Sequence, residues 1–173
     1  MFTAVLNLKE SLAGLPTRPV LYLASAVIAI GLGYHFITTY QSCRGHAELR
    51  ERLEAAVAAS ADGTSPGPVR LSRIIDFEWD RAEILVDYKP AGSTADCPFG
   101  WDWSQKTREA LIAADRLIVI VFLRGGRLVN YLELRSDRVS FVGISNPYTP
   151  ETALFTVSPG AGHAGVFTLS PVP

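Results

Sequence analysis

The longest apolar run of the chain lies close to its N-terminus. Between Arg18 and Arg44 the sequence has no Asp, Glu, Lys or Arg, and residues 20–37 are mostly Val, Leu, Ile, Ala and Gly. A helix needs about 20 such residues to cross a bilayer. Tyr22 and Tyr40 would lie about 27 Å apart along a helix, which suits one aromatic ring at each membrane interface. We therefore predict a transmembrane helix over residues 19–42, after an N-terminal segment of residues 1–18.

Two processed forms are alternatives to a retained anchor. A cleaved signal peptide would need a long polar region that includes Glu10, and no small-residue cleavage site follows the apolar run cleanly. A lipoprotein would carry its lipid on Cys43, although the three residues before this cysteine, Tyr-Gln-Ser, are a poor approach sequence. We favour the retained anchor.

The membrane orientation is not decided by charge alone. Positive groups stand on both sides of the span: the amino terminus, Lys9 and Arg18 before it, and Arg44, Arg50 and Arg52 after it. We expect the N-terminus in the cytoplasm and the rest of the chain outside, where Cys43 and Cys97 could form a disulfide under oxidising conditions. Two unpaired buried thiols are the alternative.

A second helical pattern follows the apolar run. After Gly45, residues 46–60 carry a narrow apolar stripe at helical spacing, formed by Leu49, Leu53 and Val57. This helix could extend the membrane helix as a stalk, pair with a second copy, or cover a sheet, and we favour the last. Residues 61–69 combine turn formers with two prolines, which predicts a linker and completes a segment of residues 43–69.

The remaining residues, 70–173, carry short strand patterns. Residues 81–88 alternate between the two faces of a strand, and the seven apolar residues 117–123 are typical of a central strand buried on both faces. Gly125 and Gly126 then predict a tight hairpin, because glycine tolerates the positive φ of such turns.

Three further segments complete the predicted domain. Strand patterns recur at residues 128–135, 139–144 and 153–157, with a last edge strand at 166–169, while residues 104–114 predict a short helix. We therefore predict an α+β fold: one N-terminal transmembrane helix followed by a small, mainly antiparallel sheet in meander order with two covering helices.

The charge balance excludes a basic binding face. The chain has 16 Lys and Arg against 17 Asp and Glu, and the two signs alternate along most of it. We therefore expect no nucleic acid partner, since nucleic acid binding needs clustered Lys and Arg. The hydrophobic content of 48% is high for a soluble domain, and the apolar run near the N-terminus accounts for the excess.

Aromatic and acidic residues are concentrated in two neighbouring segments that hold all three tryptophans. Exposed tryptophans beside carboxylates can anchor a protein partner or stack on a sugar. The candidate partner-binding residues are Trp79, Asp80, Trp101, Asp102 and Trp103. The alternative is that these aromatic side chains close the ends of a small sheet.

Catalytic and metal signatures are weak in comparison. A hydrolase could use Asp80, Asp102 and His163, but His163 lies in a Gly-rich loop without a Gly-x-Ser-x-Gly element. The carboxylates at residues 76, 78 and 80 alternate along the chain and could supply a glycosidase pair. We favour the simpler interpretation that they form the solvent-exposed face of a strand. The cysteines and histidines lack zinc-ligand spacing, so we expect no enzyme activity, metal or cofactor.

Within the apolar run, small residues recur at every fourth position. Ser25, Ala29 and Gly33 would form one helix face that another transmembrane helix could approach closely. This face is compatible with a homo-oligomer or with docking to a larger membrane complex.

The order of motifs resembles that of a group of uncharacterised bacterial envelope proteins, some of which are similar to immunity proteins for secreted toxins. The similarity covers residues 71–157 and comprises a Phe-Glu-Trp-Asp motif that contains Trp79 and Asp80, a strand, a helix, an apolar strand and a Gly turn. The segment 87–90 departs from the pattern, which would end that strand with a Gly-Pro-Tyr-like sequence. The resemblance implies a non-enzymatic protein of the inner membrane whose domain lies in the periplasm and binds a protein partner.

Overall fold

A computed structural model describes residues 17–64, 67–86, 88, 97–160 and 165–173. The chain divides into two compact units, Met1–Gln41 and Ser42–Pro173. The predictions for residues 1–16, for most of the segment between Tyr88 and Cys97, and for His163 lie outside the described residues.

The described elements mix helices and short strands. In chain order they are α1 (Thr17–Ala61), β1 (Val69–Arg70), α2 (Leu71–Ile74), β2 (Arg81–Val86), a 3₁₀ turn (Pro98–Gly100), α3 (Gln105–Ala113), β3 (Leu117–Arg124), β4 (Arg127–Arg135), β5 (Val139–Phe141), β6 (Leu154–Pro159) and β7 (Phe167–Pro171). The α+β class predicted from the sequence is confirmed.

Helix α1 is longer than either helix that the sequence patterns predict. It runs through Gly45 without a break. The second helix expected from residue 46 is therefore the continuation of the first. Glycine interrupts a helical pattern only weakly, since it costs about 1 kcal/mol relative to alanine. In the described part of the chain α1 is also the one helix long and apolar enough to cross a membrane, and its apolar window is entirely unburied.

Three strands form an antiparallel sheet in the order β2-β3-β4. Strand β3 is its central strand, as the apolar run predicts, and the hairpin to β4 turns at Gly125 and Gly126, whose φ angles are 56° and 75°. This meander is confirmed. The β3–β4 register shifts between Phe122 and Leu123, which marks a β-bulge near the turn.

The other four strands form a second sheet in the order β1-β6-β7-β5. Strand β7 lies between β6, which is antiparallel to it, and β5, which is parallel to it. The prediction of one continuous meander with a C-terminal edge strand was therefore wrong. Local alternation predicts that a segment is a strand, but the choice of partner depends on contacts distant in sequence.

The main core joins both sheets to the part of α1 that lies in the larger unit. The predicted stripe of Leu49, Leu53 and Val57 is buried in it, which confirms that this part of the helix covers a sheet. Strands β3 and β4 contribute the side chains of one face each: Ile118, Ile120, Phe122, Leu132 and Leu134. The second sheet contributes Val139, Phe141, Phe155 and Leu169.

Helix α3 is the short covering helix predicted for residues 104–114. Ser104 is its N-cap, and its side-chain oxygen accepts a hydrogen bond from the Thr107 backbone amide at 3.2 Å. The Leu111 side chain of α3 packs on Leu117 and Val119. These two side chains lie on the face of β3 opposite the main core.

Candidate binding surface

The outer face of the three-stranded sheet, opposite the main core, is only partly covered by α3. The register places Val121 opposite Tyr131 and Val119 opposite Glu133 across β3 and β4. These positions alternate with core positions, because successive side chains of a strand point to opposite faces. The result is a second, smaller apolar layer on this face.

A groove of about 380 Å³ runs along this layer. Its lining is mostly apolar and consists of Tyr88, Leu117, Val119, Val121, Leu128, Tyr131 and Glu133. Leu128 is 61% exposed at the rim. The size and lining suit one or two large apolar groups with a few polar atoms beside them.

The β-bulge explains why Leu128 lines the groove. Even-numbered β4 residues such as Leu132 and Leu134 are buried in the main core, and the same alternation would place Leu128 there as well. The register shift near the turn interrupts that alternation, and Leu128 lies in the groove on the opposite face. A single inserted residue thus adds an apolar side chain to the outer surface.

A buried ion-pair network closes one end of the outer layer. Arg108 of α3 donates from Nη2 to Asp102 Oδ2 at 3.1 Å and from Nε to Glu133 Oε2 at 2.6 Å. Arg50 of α1 pairs with the other oxygen of Asp102. Two guanidinium groups thus face two carboxylates, so the buried charges balance, as burial of charge requires.

Trp103 packs beneath this network. The guanidinium carbon of Arg50 lies 4.0 Å from the centre of the Trp103 ring, and Arg108 Nη1 donates to the Trp103 carbonyl oxygen. Among the described residues no acceptor binds Arg50 Nη1, which faces an aromatic side chain instead. A cation over a tryptophan face is attracted by the ring quadrupole, and this contact partly replaces the missing hydrogen bond.

Tyr131 connects the groove to α1. Its ring lies 4.4 Å from that of His46, whose Nε2 is 3.1 Å from Asn130 Oδ1, and the same Asn130 oxygen accepts from the Tyr131 backbone amide. Burial raises the pKa of the Tyr131 hydroxyl above its usual value, and the neighbouring Glu133 carboxylate raises it further. The hydroxyl therefore stays protonated at neutral pH, and the groove gains no negative charge from it.

The residues predicted to bind a partner do not form one surface. Trp79 is 8% exposed and packs edge-on against Phe122, so its ring lies in the core. Asp80 is exposed, but its Oδ2 accepts from the Gly125 amide at 2.6 Å and so supports the β3–β4 turn. The alternative reading of aromatics that close a sheet holds for Trp79.

The residues of the second predicted segment also differ in their exposure. Asp102 is buried and bound by two arginines, and Trp103 is partly buried beneath Arg50, so neither is an open contact. Trp101 lies at the surface, with its ring 5.2 Å from that of Phe99. Of the five predicted partner-binding residues, Trp101 alone presents an aromatic ring next to an exposed aromatic neighbour in the described chain.

Cys43 and Cys97 form a disulfide, with their Cα atoms 5.8 Å apart. It joins the first turn of the larger unit to the segment that holds Phe99 and Trp101. About two α-helical turns further along, Arg50 forms an ion pair with Asp102 of the same segment. The segment 97–103 is therefore attached to α1 at two points.

Ser25, Ala29 and Gly33 are exposed on the N-terminal part of α1. A Cβ added at Gly33 would meet no atom within 4 Å, so this position is open for close approach. The residues that the structure describes contain no group of three His, Cys, Asp or Glu side chains placed to hold a metal ion.

The sequence patterns missed the groove and the ion network. Arg50 and Arg108 resemble ordinary solvent-facing residues of helices, and no local signal marks them as buried. A weak signal exists at Glu133, because an acid flanked by Leu132 and Leu134 shares its strand face with apolar Tyr131. No family model, curated protein or solved structure matches this chain.

Proposed function

We propose that this protein is a membrane-tethered binding module whose domain captures a protein partner outside the cytoplasm. The observation that carries the proposal is the apolar groove on the outer face of the three-stranded sheet, with Leu128 exposed at its rim. A protein partner that inserts apolar side chains there would remove this surface from water, and such buried anchors supply most of the energy of protein interfaces.

Two features of the chain also support the proposed location. The apolar part of α1 suits a single membrane span, and a Cys43–Cys97 disulfide persists in an oxidising compartment such as the periplasm. Tethering raises the effective concentration of the groove for partners that act at the same membrane, without any added contact. The partner is a toxin to be neutralised or a neighbouring subunit of an envelope complex.

Site-specific photo-crosslinking of the full-length chain in its own membranes tests the groove. A photoreactive residue at Leu128 is compared with one at Val142, which is 51% exposed and does not line the groove. We expect one protein to crosslink from position 128 and not from position 142.

Affinity measurements with the purified partner complete this test. Leu128→Glu places a charge in an apolar contact and should weaken binding about tenfold or more, since a good apolar anchor contributes at least 1–2 kcal/mol. Val142→Glu should leave the affinity unchanged. Equal effects of the two substitutions, or no crosslink at position 128, would contradict the proposal.

An accessory subunit that assembles through its transmembrane helix is the second candidate. The exposed small-residue face of Ser25, Ala29 and Gly33 favours it. Replacement of the span by an unrelated transmembrane helix should then abolish assembly, whereas a groove-based binder keeps its partner after the exchange.

A further inference from the structure

We propose that the segment Pro98–Gly100 with Trp101, here called the aromatic loop, is a second membrane contact that inserts its aromatic side chains into the lipid interface. The proposal rests on the membrane anchoring proposed above and adds a lipid-binding site on the domain itself.

The exposure of Phe99 is the first observation. Phe99 is 79% exposed, the highest value among the large exposed hydrophobic residues that the structure describes. Its φ of 57° lies in the left-handed region, which disfavours residues with a Cβ. A large apolar side chain held in water by a strained backbone gains free energy when the ring enters an apolar phase.

The neighbour of Phe99 suits the same phase. The Trp101 ring lies 5.2 Å from the Phe99 ring and is itself partly exposed. Tryptophan is enriched at membrane interfaces because its ring is apolar while its N–H group can bind water or a lipid headgroup. The two rings together form a small aromatic patch.

The position of the aromatic loop along the chain favours lipid over a protein partner. The disulfide attaches Cys97 to Cys43, which lies in the first turn of the larger unit. Cys43 follows Tyr40, the aromatic residue predicted at the outer interface, by about 4.5 Å of helix rise. Phe99 follows Cys97 by two residues, a reach of at most about 7 Å. The disulfide therefore ties the patch to the chain within a few residues of the predicted end of the span.

The groove contacts α1 through the Tyr131 and His46 rings, but it has no disulfide to this helix as the aromatic loop has. Its exposed rim residue Leu128 is in the β3–β4 hairpin region and is remote in sequence from Cys43 and Cys97. We therefore assign the groove to a protein partner and the aromatic loop to the lipid surface. The loop contact would give the domain a second attachment to the bilayer.

Fluorescence quenching by brominated lipids tests the aromatic loop. The full-length chain is reconstituted in vesicles of phosphatidylcholine and phosphatidylglycerol that carry bromine near the headgroup end of the acyl chains. We expect the wild-type emission to be quenched and the Trp101→Phe variant to lose that quenched component, because Trp79 is buried in the core and the Trp103 ring is covered by the Arg50 guanidinium group. Phe99→Asp should reduce quenching of Trp101, since it places a charge in the interface.

A matched control places a tryptophan elsewhere on the domain. Leu128→Trp in the Trp101→Phe background puts an exposed ring at the groove, and we expect no quenching there. Equal quenching at positions 101 and 128, or none at 101, would overturn the lipid contact. Crosslinking of position 99 to a protein in native membranes, with no quenching in pure lipid, would overturn it in favour of a protein partner.

Vesicle flotation and carbonate extraction separate this proposal from the anchor. All of these variants should float with the vesicles and resist carbonate, because the span is unchanged. A wild-type chain that carbonate releases would show that the anchor itself is wrong. A chain that resists carbonate but shows no quenching of Trp101 would reject the aromatic loop alone.

Discussion

Arg108 is the least exposed of the buried charged residues that the structure describes, at 1%. It pairs with both Asp102 and Glu133, so it neutralises two buried carboxylates that belong to different elements. Such a network contributes little net stability compared with apolar packing, but removal of one member leaves an uncompensated buried charge. Arg108 thus fixes α3 to β4 at the end of the groove.

We expect Arg108→Met to lower the free energy of unfolding by about 3–5 kcal/mol, because Asp102 and Glu133 then lose their shared partner. The control is Arg116→Met, which removes an exposed pair with Asp137 and should cost about 0–1 kcal/mol. Urea unfolding of the full-length chain in detergent micelles, followed by tryptophan emission, measures both. Equal losses would show that the network is not buried in solution.

At the scale of single elements, the β3–β4 hairpin depends on backbone conformation. Gly125 and Gly126 both have positive φ, and a Cβ added at either meets no atom within 4 Å. Space therefore does not explain the need for glycine at the turn; the left-handed backbone does. Gly45, inside α1, is also open around a Cβ but has helical φ.

These two kinds of glycine should respond oppositely to alanine. Gly126→Ala should destabilise the chain by about 1–2 kcal/mol, since an L-residue is disfavoured at positive φ. Gly45→Ala should stabilise it by up to about 1 kcal/mol, because alanine is the better helix former. Unfolding midpoints of the two variants in the same detergent check the signs, and a loss in both would contradict a continuous helix through residue 45.

At the scale of the larger unit, the Cys43–Cys97 disulfide closes a long loop between α1 and the aromatic loop. Together with the Arg50–Asp102 pair it holds the segment 97–103 on the helix. This segment carries Trp101 toward the surface and Trp103 beneath the ion network. The disulfide therefore positions both the proposed lipid contact and one wall of the outer layer.

Reduction of this disulfide should lower the free energy of unfolding by about 2–4 kcal/mol, because the unfolded chain regains the freedom of a long loop. Dithiothreitol titration of the full-length chain, with unfolding followed by tryptophan emission, measures the change. The double variant Cys43→Ser, Cys97→Ser should unfold at the same midpoint with and without reductant. A wild-type chain insensitive to reductant would mean that the two thiols are not joined.

Much of the local structure follows from the sequence by itself. The apolar run before Cys43, the central strand β3 and the glycine hairpin are all encoded by neighbouring residues, since hydrophobic period and backbone preference act within a few positions. The stripe of Leu49, Leu53 and Val57 likewise identified the buried face of α1 correctly. The start of that helix was missed, because one glycine is a weak helix breaker.

Only the tertiary structure decided which segments meet. Strand β7 reads as an edge strand, yet it lies between β6 and β5, because strand pairing depends on contacts far apart in sequence. The same reason separates the three tryptophans: Trp79 enters the core, Trp103 lies under Arg50 and Trp101 reaches the surface. Three tryptophans that lie close together in the sequence thus have different surroundings, because the burial of each ring depends on what the rest of the chain packs against it.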